Sequence, residues 1–386
     1  MRIFSIFLCF LLLFTLTGCS APVETQPLPI ETTLPAQPRQ TLPPETQPPV
    51  TTPPDPIELI LEGMTIEERV GQLFLARCDD AAALQDIAQY HLGGFVLFGG
   101  DFDGQDPDSM REKLQGYQAA SQIPLLIAVD EEGGTVVRIS QYPAFREMPF
   151  PSPRNALKNW GMEGVMTVED EKCQLLSSLG INVNLGPVCD ISTEPSAFMY
   201  QRSLGQDALQ TSAYVSRTVT LMNVYSIGSA LKHFPGYGNN ADTHTGIARD
   251  SRSLEELETC DLLPFAAGIQ AGCGAILVSH TIVEAMDSQY PASLSPAVHA
   301  YLRETMGFPG VILTDDLVMQ AITDAYGAGE AAVLAILAGN DLLCSTEYAV
   351  QYEAVLAAVL EGRISFDTLN DAVRHVIGWK MDLGLL

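Results

Sequence analysis

The chain has 386 residues, and 47 aspartates and glutamates outnumber 20 lysines and arginines, which gives a formal net charge of −27. So acidic a protein repels phosphate backbones and anionic lipid, so we expect no nucleic-acid partner and no docking of a folded surface on a membrane. Hydrophobic residues make up 47% of the chain, which excludes disorder throughout and leaves room for one large α/β barrel or two average domains.

The first 18 residues have the composition of a secretory signal peptide. Arg2 precedes a nearly all-apolar stretch over 3–16, which is short for a membrane span and typical of a signal-peptide core. The stretch ends in Leu-Thr-Gly-Cys, which resembles the bacterial lipobox. We expect cleavage before Cys19, lipidation of that cysteine, and a lipid-anchored location on the extracellular face of the cell membrane. An uncleaved anchor helix is the alternative.

Residues 20–56 differ from the rest of the chain. Twelve of these 37 residues are proline, interleaved with threonine, glutamine and glutamate, and no apolar periodicity is present. Such a segment favours extended polyproline II conformation and cannot bury a core. The predicted organisation is therefore a signal peptide over 1–18, a lipidated cysteine and linker over 19–56, and a folded domain over 57–386.

Short apolar runs alternate with helical stretches from residue 57 onward. Eight runs are predicted as strands: 72–76, 94–98, 124–129, 182–188, 228–232, 275–279, 311–314 and 341–344. Amphipathic helices are predicted between them, for example over 254–270 and 327–337. Eight such units in about 330 residues indicate a single (β/α)8 barrel of the TIM type. A doubly wound open sheet is the alternative, but no glycine-rich nucleotide motif follows any strand.

Polar residues follow five of these strands at their carboxyl ends. They are Asp130, Asp190, the pair Lys232 and His233, His280, and the pair Asp315 and Asp316. In a barrel these strand ends converge on one rim, where active sites form.

The strand 311–314 would deliver Asp315 to this rim. A carboxylate held there can attack or stabilise a cationic carbon centre. Adjacent residues on a strand point in opposite directions, so only one of Asp315 and Asp316 faces the barrel axis. We expect Asp316 to cap the following helix.

Two further pairs are candidates for chemistry. Lys232 and His233 can donate hydrogen bonds to ligand hydroxyl groups. Asp242 lies two residues before His244 and can orient its ring, so that the pair acts as general acid and base. A loop histidine that merely contacts a helix cap is the alternative for His244.

Cysteine and histidine spacing indicates no metal site. Six cysteines of the folded part are scattered without a C-x-x-C pair, and no H-E-x-x-H motif occurs. We expect these cysteines to act as small buried hydrophobes, although a disulfide is open to a protein outside the cytoplasm.

The chain resembles glycoside hydrolase family 3, in its β-N-acetylglucosaminidase branch. The segments that carry the resemblance are MTIEERVGQLF (64–74), VDEEGG (129–134), QRSLG (201–205), KHFPGYGNNADTH (232–244), PASLS (291–295) and VILTDDLVM (311–319). They occur in order over nearly all of 57–386, so the resemblance is specific.

The resemblance implies roles for eight residues. Asp315 is the expected nucleophile, His244 the general acid/base and Asp242 its partner, and the expected substrate contacts are Asp130, Arg138, Arg202, Lys232 and His233. It also implies a retaining double displacement without a cofactor. The Asp-x-His loop separates this branch from two-domain β-glucosidases of the family, which use a distant glutamate, and we expect no second domain here.

Four positions depart from the family pattern: Glu131, Thr135, Tyr237 and Thr314. None removes a catalytic group, and we expect Tyr237 to add a stacking face to the site.

The expected function is hydrolysis of terminal β-linked N-acetylglucosamine by a monomeric enzyme, with peptidoglycan fragments as the source. A β-glucosidase is one alternative, and a phosphorylase is another, because a neutral imidazole does not repel phosphate as a carboxylate would. A non-catalytic lipoprotein that binds the wall or a solute is the alternative outside enzymes.

Overall fold

The computed structural model describes residues 55–239 and 248–386. The predicted signal peptide, Cys19 and all but the last two residues of the predicted linker lie outside the described residues. Asp242 and His244 lie outside them as well.

Eight parallel strands form the centre of the molecule. They are β1 Phe74–Arg77, β2 Gly94–Leu97, β3 Leu126–Val129, β4 Val183–Asn184, β5 Gly228–Phe234, β6 Ala275–Val278, β7 Val311–Thr314 and β8 Leu343–Ser345. Neighbours in sequence are neighbours in the sheet, and β8 pairs with β1. A single bridge between Leu313 and Leu342 links β7 to the start of β8, so the sheet is nearly closed. The predicted TIM-type barrel is confirmed.

Thirteen helices surround these strands in the described residues. They are α1 Pro56–Gly63, α2 Ile66–Gln72, α3 Ala83–Tyr90, α4 Pro107–Ala120, α5 Pro153–Leu179, α6 Ala208–Val224, α7 Leu254–Thr259, α8 Leu262–Gln270, α9 Pro296–Ala300, α10 Gln320–Tyr326, α11 Ala328–Ala338, α12 Tyr348–Leu360 and α13 Phe366–Asp382. Their apolar faces pack on the outside of the barrel and bury it on that side. Strands covered on both faces must be apolar throughout, which is why the strand runs were recognisable in sequence.

Alternate residues of the eight strands fill the barrel interior. They include Leu75, Val96, Leu126, Ala128, Val183, Ala230, Leu277, Val311, Leu313 and Cys344. Trp379 of α13 packs into the same cluster at the amino-terminal end of the strands, beside Gly228 and Gly274. The barrel is therefore a packed core, and a ligand can reach only its ends.

The prediction of a single helix over 254–270 is wrong, because the structure has two helices there, α7 and α8. Cys260 lies between α7 and α8 with a non-helical backbone, at φ −133° and ψ −82°. Pro264 explains the break, because a proline lacks the N–H that a continuous helix would need at that position. In the first turn of a separate α8 that N–H is not needed.

Several strand predictions were too long, and two of them have a clear cause. Gln72 belongs to α2, and the run 182–188 keeps only Val183–Asn184 as a strand. Pro187 interrupts the latter run because it cannot donate to a sheet ladder. At the start of the described residues, Asp55 caps α1 and Pro56 begins it, next to the predicted boundary at residue 57.

The six cysteines that the structure describes are free thiols, and five of them are buried. Their prediction as small buried hydrophobes is confirmed for those five. Within the described ranges no single helix is long and apolar enough to cross a membrane, although α10 and α11, which meet at a 103° bend, pass that test together by length and composition.

Candidate active site

Four paired charges lie at the carboxyl ends of β3, β4 and β5, and we call them the rim network: Asp130, Glu132, Arg202 and Lys232. Lys232 Nζ lies 2.5 Å from Asp130 Oδ1 and 2.6 Å from Glu132 Oε1. The Arg202 guanidinium donates to both carboxylate oxygens of Glu132, at 2.6 and 2.9 Å. The side chains of Glu132 and Lys232 are 2% and 3% exposed, so solvent screens this pair little.

Burial and pairing act in opposite directions on the rim network. Burial raises the pKa of the Glu132 carboxyl, but Lys232 and Arg202 outweigh burial and hold this pKa well below its ordinary value. Burial lowers the pKa of the Lys232 ammonium, but Asp130 and Glu132 outweigh it and raise the pKa. Both groups are therefore charged at neutral pH, because the charged partners of each outweigh its burial.

Both ring nitrogens of His233 form hydrogen bonds with other side chains of the protein. Its Nδ1 lies 2.8 Å from Asp190 Oδ2, and its Nε2 lies 3.2 Å from Arg202 Nη2. A guanidinium can only donate, so Nε2 accepts, and the ring proton lies on Nδ1 and is donated to Asp190. Asp190 also accepts the backbone N–H groups of His233 and Tyr237, at 3.1 and 2.7 Å. This neutral imidazole therefore has no free ring N–H with which to donate to a ligand.

Arg138 reaches the rim network from the loop after β3. Its Nη2 lies 3.5 Å from Asp130 Oδ2. The fully buried carboxylate of Glu131 holds this loop, since it accepts the backbone N–H groups of Arg138 and Ile139 at 2.8 and 2.7 Å. The glutamate that departs from the family pattern therefore supports the loop. The side chains of Asp130 and Arg138 are 17% and 27% exposed, so a ligand can reach them.

The two adjacent aspartates after β7 have different surroundings. Asp315 accepts the backbone N–H of Asp316 at 2.9 Å. Asp316 accepts the backbone N–H and the hydroxyl of Thr346, and the backbone N–H of Val318. It therefore ties the turn after β7 to the end of β8, and does not cap the following helix as predicted, because α10 begins only at Gln320. Buried His280 donates from Nε2 to the Asp316 carbonyl at 3.0 Å.

Strand register places Asp315 near the rim network. The backbone N–H of Asp315 donates to the carbonyl of Val278 in β6, and Val278 pairs with Phe234 of β5, two residues beyond the rim-network lysine. Burial raises the pKa of the Cys344 thiol, and neighbouring carboxylates, among them Asp315 and Asp130, raise it further. Both carboxylates therefore lie within electrostatic reach of one interior side chain of β8.

Tyr237 does not offer a stacking face to a ligand, so the expectation that it adds one to the site is wrong. Its side chain is 1% exposed and packs with Val188 and Met199. Its ring meets the edge of the His233 ring, with centroids 5.2 Å apart. The tyrosine backs the site because the sharp turn after β5 directs it inward.

One group of potential metal ligands occurs among the described residues. Atoms of Cys78, Asp80 and Asp101 lie within 4.8 Å of one another near the ends of β1 and β2. Asp80 already pairs with Lys113 at 2.8 Å and accepts the hydroxyl of Tyr117 at 3.0 Å. These protein partners account for its charge.

The structure brings most predicted site residues to one rim. The expected substrate contacts Asp130, Arg138, Arg202, Lys232 and His233 form one connected set, and Asp315 lies on the same face. Asp242 and His244 lie outside the described residues. Sequence reasoning did not assign roles to Glu132 or to Asp190, although the three successive acids after β3 and the acid after β4 were available signals.

Known proteins resemble this chain over most of its length. The model of the glycosyl hydrolase family 3 N terminal domain matches residues 65–378. Beta-hexosaminidase A of Pseudoalteromonas piscicida is 30% identical over 325 residues, which cover 77% of this chain and 54% of that protein. A beta-hexosaminidase of Stenotrophomonas maltophilia strain R551-3 is 30% identical over 303 residues, which cover 74% of this chain and 89% of that protein.

A solved structure shares the fold. The glycoside hydrolase family 3 beta-N-acetylglucosaminidase from Paenibacillus sp. str. FPU-7 superposes with a TM-score of 0.77 and 30% identity, covering 83% of this chain and 63% of that one. This chain therefore spans about half of the Pseudoalteromonas relative and less than two thirds of the Paenibacillus structure. With the barrel, the rim residues and the match over 65–378 in agreement, the chain belongs to glycosyl hydrolase family 3, a family of glycosidases.

Proposed function

We propose that this protein is a retaining β-N-acetylhexosaminidase that removes terminal β-linked N-acetylglucosamine. The observation that carries the proposal is the placement of Asp315 on the same barrel rim as the rim network. A glycosidase of this kind requires two parts: a carboxylate that attacks the sugar, and polar and charged groups that bind the sugar hydroxyls. The beta-hexosaminidase names of the relatives support the choice of sugar.

In the first step, Asp315 attacks the anomeric carbon and forms a covalent glycosyl ester, while the bond to the leaving oxygen breaks. His244 donates a proton to that oxygen, and Asp242 holds the ring in the tautomer that can do so. In the second step, His244 takes a proton from water, which attacks the same carbon and releases Asp315. Two inversions give net retention of configuration.

We assign binding of the sugar hydroxyls to the rim network and its neighbours. Asp130 of this network and the neighbouring Arg138 have side chains that are 17% and 27% exposed, so we assign the direct contacts with sugar hydroxyls to them. Lys232 and Glu132 are nearly closed to solvent, and they orient Asp130 and Arg202. His233, whose ring nitrogens are both engaged, contributes shape and supports Arg202.

We propose the surroundings of the enzyme from its first 56 residues. A lipid on Cys19 and an extended proline-rich linker would hold the barrel near the outer face of the cell membrane. Peptidoglycan fragments are the polymer-derived N-acetylglucosaminides within reach there, and they are the proposed natural source of substrate.

Turnover of aryl glycosides by the purified protein tests the proposal. We expect release of the phenol from an aryl N-acetyl-β-glucosaminide and little release from the matching aryl β-glucoside. A fluorinated N-acetylglucosamine analogue that traps the intermediate should label Asp315, as mapped by mass spectrometry. Preference for the glucoside, or a label on another residue, would contradict the proposal.

Phosphate dependence separates hydrolysis from phosphorolysis. We expect free N-acetylglucosamine as the product, at a rate that added phosphate does not change. A sugar 1-phosphate among the products would identify a phosphorylase.

A further inference from the structure

Alternate residues of each strand face the barrel interior, and this alternation predicts which side chains meet at the carboxyl-end rim. Six members of the interior cluster lie near the ends of their strands: Leu75, Val96, Ala128, Ala230, Leu313 and Cys344. The residues two positions further along form the next inward-facing layer. They are Arg77, Phe98, Asp130, Lys232, Asp315 and Thr346. An arginine therefore lies in the same layer as the proposed nucleophile and two members of the rim network.

Arg77 is the last residue of β1, and it is exposed. Its guanidinium carbon lies 4.2 Å from the centre of the Phe98 ring, and that of Arg138 lies 5.4 Å from the same centre. Phe98 packs against the interior cluster and closes the top of the barrel core. Because a guanidinium that stacks on a ring is held by its flat face, the N–H groups at its edge remain accessible to a ligand.

A cavity of about 520 Å³ lies beside Arg77, at the carboxyl ends of β1, β2 and β8. Its polar lining residues are Arg77, Asp79, Asp80, Asp101, Thr346 and Tyr348. In the described part of the chain Arg77 forms no ion pair, whereas Asp80 pairs with Lys113 at 2.8 Å. The three carboxylates disfavour an anionic ligand. Donors, acceptors and an aromatic ring together suit the hydroxyl groups and the apolar face of a neutral sugar.

Thr346 connects this cavity to the turn that carries Asp315. The backbone N–H and the hydroxyl of Thr346 donate to the carboxylate of Asp316, at 3.2 and 2.5 Å. In the proposed reaction the terminal sugar lies between the rim network, at the ends of β3 to β5, and Asp315, at the end of β7. The leaving group is bonded to the carbon that Asp315 attacks, so it continues beyond Asp315. The next strands around the barrel in that direction are β8 and β1.

We propose that this cavity is a subsite for a second sugar residue, the one that leaves, and that Arg77 donates hydrogen bonds to its hydroxyl groups. The inference rests on the proposed function, because the position of the nucleophile defines the leaving side. It adds a substrate class: oligosaccharides, in which a sugar leaves, are preferred to N-acetylglucosaminides of simple alcohols. Arg77 is the residue that sets this preference.

The test compares two substrates that share the terminal sugar and differ in the leaving group. They are the β-linked dimer of N-acetylglucosamine and the phenyl N-acetyl-β-glucosaminide. For R77M we expect kcat/KM to fall by about 10- to 100-fold on the dimer and by less than about threefold on the phenyl substrate, because only the dimer loses charged hydrogen bonds. R138M, which removes a proposed contact with the terminal sugar, should lower kcat/KM by similar factors on both substrates.

R217M is the matched control, because Arg217 forms a two-bond ion pair with Glu163 on the protein surface. It should retain wild-type kcat/KM on both substrates. Equal losses on the two substrates in R77M, or no loss on the dimer, would overturn the inference. Removal of an exposed cation–π contact costs little stability, so R77M should melt close to wild type. If R77M fails to fold by circular dichroism, R77Q takes its place and must show the same selectivity.

Binding separates this inference from the proposed function. In titration calorimetry D315N should bind the dimer about tenfold or more tightly than it binds N-acetylglucosamine. Adding R77M should remove most of this difference and change the binding of the single sugar by less than about threefold. Equal binding of the two sugars by D315N would sink the inference even if the wild-type protein is an active glycosidase.

If wild-type protein cleaves neither substrate, the proposed function has failed. Calorimetry of the wild-type protein and R77M with the same two sugars then decides the inference alone. Tighter binding of the dimer that depends on Arg77 would support the subsite, and binding of neither sugar would overturn it.

Discussion

The Nζ atom of Lys232 lies 2.6 Å from Oε1 of Glu132, and neither side chain is more than 3% exposed. Removal of the Glu132 charge takes the carboxylate away from Arg202 and leaves Lys232 with Asp130 as its remaining carboxylate partner, in a low-dielectric site. We expect E132Q to lose about 3–5 kcal/mol of unfolding free energy, as measured by urea denaturation. E163Q, which breaks an exposed pair with Arg217, should change stability little. Equal effects of the two substitutions would contradict this account of the rim network.

The adjacent aspartates after β7 should respond differently to substitution. D315N removes the proposed nucleophile and should lower kcat by about 10⁴-fold or more with an unchanged melting temperature. D316A removes the acceptor for Thr346 and should cost about 1–3 kcal/mol of stability. Kinetics and thermal melts on both variants provide the check. A nearly active D315N with an inactive, stable D316A would reverse the assignment.

Asp190 should act on substrate binding through His233. In D190N an amide N–H replaces one acceptor oxygen, so one of the donors from His233 and Tyr237 loses its partner. We expect KM to rise by about tenfold, equivalent to about 1.4 kcal/mol, with a smaller change in kcat. D170N is the control, because Asp170 of α5 accepts hydrogen bonds from Tyr225 and Gln174 and from none of the rim residues, and it should leave KM unchanged. A D190N variant that melts earlier but keeps its KM would show that Asp190 is only structural.

The amino-terminal end of the barrel depends on two close approaches to Trp379. A Cβ at residue 274 would lie 1.9 Å from Trp379 Nε1. Since the indole packs among buried strand residues, G274A should destabilise the fold by about 1–3 kcal/mol or more. Gly100 has no atom within 4 Å of its ideal Cβ position, so G100A is the matched control. Thermal melts followed by tryptophan fluorescence test the difference, and equal melting temperatures would refute it.

The buried lysine Lys380 should make the stability of the folded protein depend on pH. Burial lowers the pKa of its ammonium to about 7, and its Nζ donates to Gln72 Oε1 at 2.6 Å. The unfolded chain has an ordinary lysine pKa of about 10.4 and so binds more protons between these values. Stability due to this group should therefore rise with pH from about 7 to about 10, by up to about 1.4 kcal/mol per pH unit. Below pH 7 both states are protonated, and the contribution is constant.

K380M should remove this slope. Urea unfolding of wild type and K380M at pH 6, 7, 8 and 9 gives the difference in unfolding free energy at each value. We expect the difference to move in favour of wild type as pH rises above 7. A pH-independent difference would show that Lys380 keeps an ordinary pKa in the folded protein.

The pattern of apolar residues in the sequence was sufficient to predict the eight barrel strands. Strands covered on both faces are apolar throughout, and the eight runs stood out between helical stretches. Their ends were less certain, because Gln72 and the residues after Asn184 have side chains compatible with more than one local structure. The break between α7 and α8 at Cys260 arises because Pro264 has no N–H to donate within a continuous helix. A pattern of apolar residues does not contain this information.

The candidate site was predicted by residue type and family motif, but not by contact. Asp130 and Lys232 are 102 positions apart in the chain, and their ion pair exists only because β3 and β5 end at the same rim. For the same reason, the sequence could not assign His233 its two partners, or show that the ring of Tyr237 points inward.

By itself the sequence determined the strand and helix content, the class of fold, the family, and which residues carry charge to the strand ends. Tertiary structure decided which of those charges pair, which are closed to solvent, and which of two adjacent aspartates ties down the neighbouring loop. Local pattern is set by short-range backbone and burial preferences, which each segment expresses alone. Pairing and burial depend on distances between segments far apart in the chain, and those distances are set only when the barrel closes.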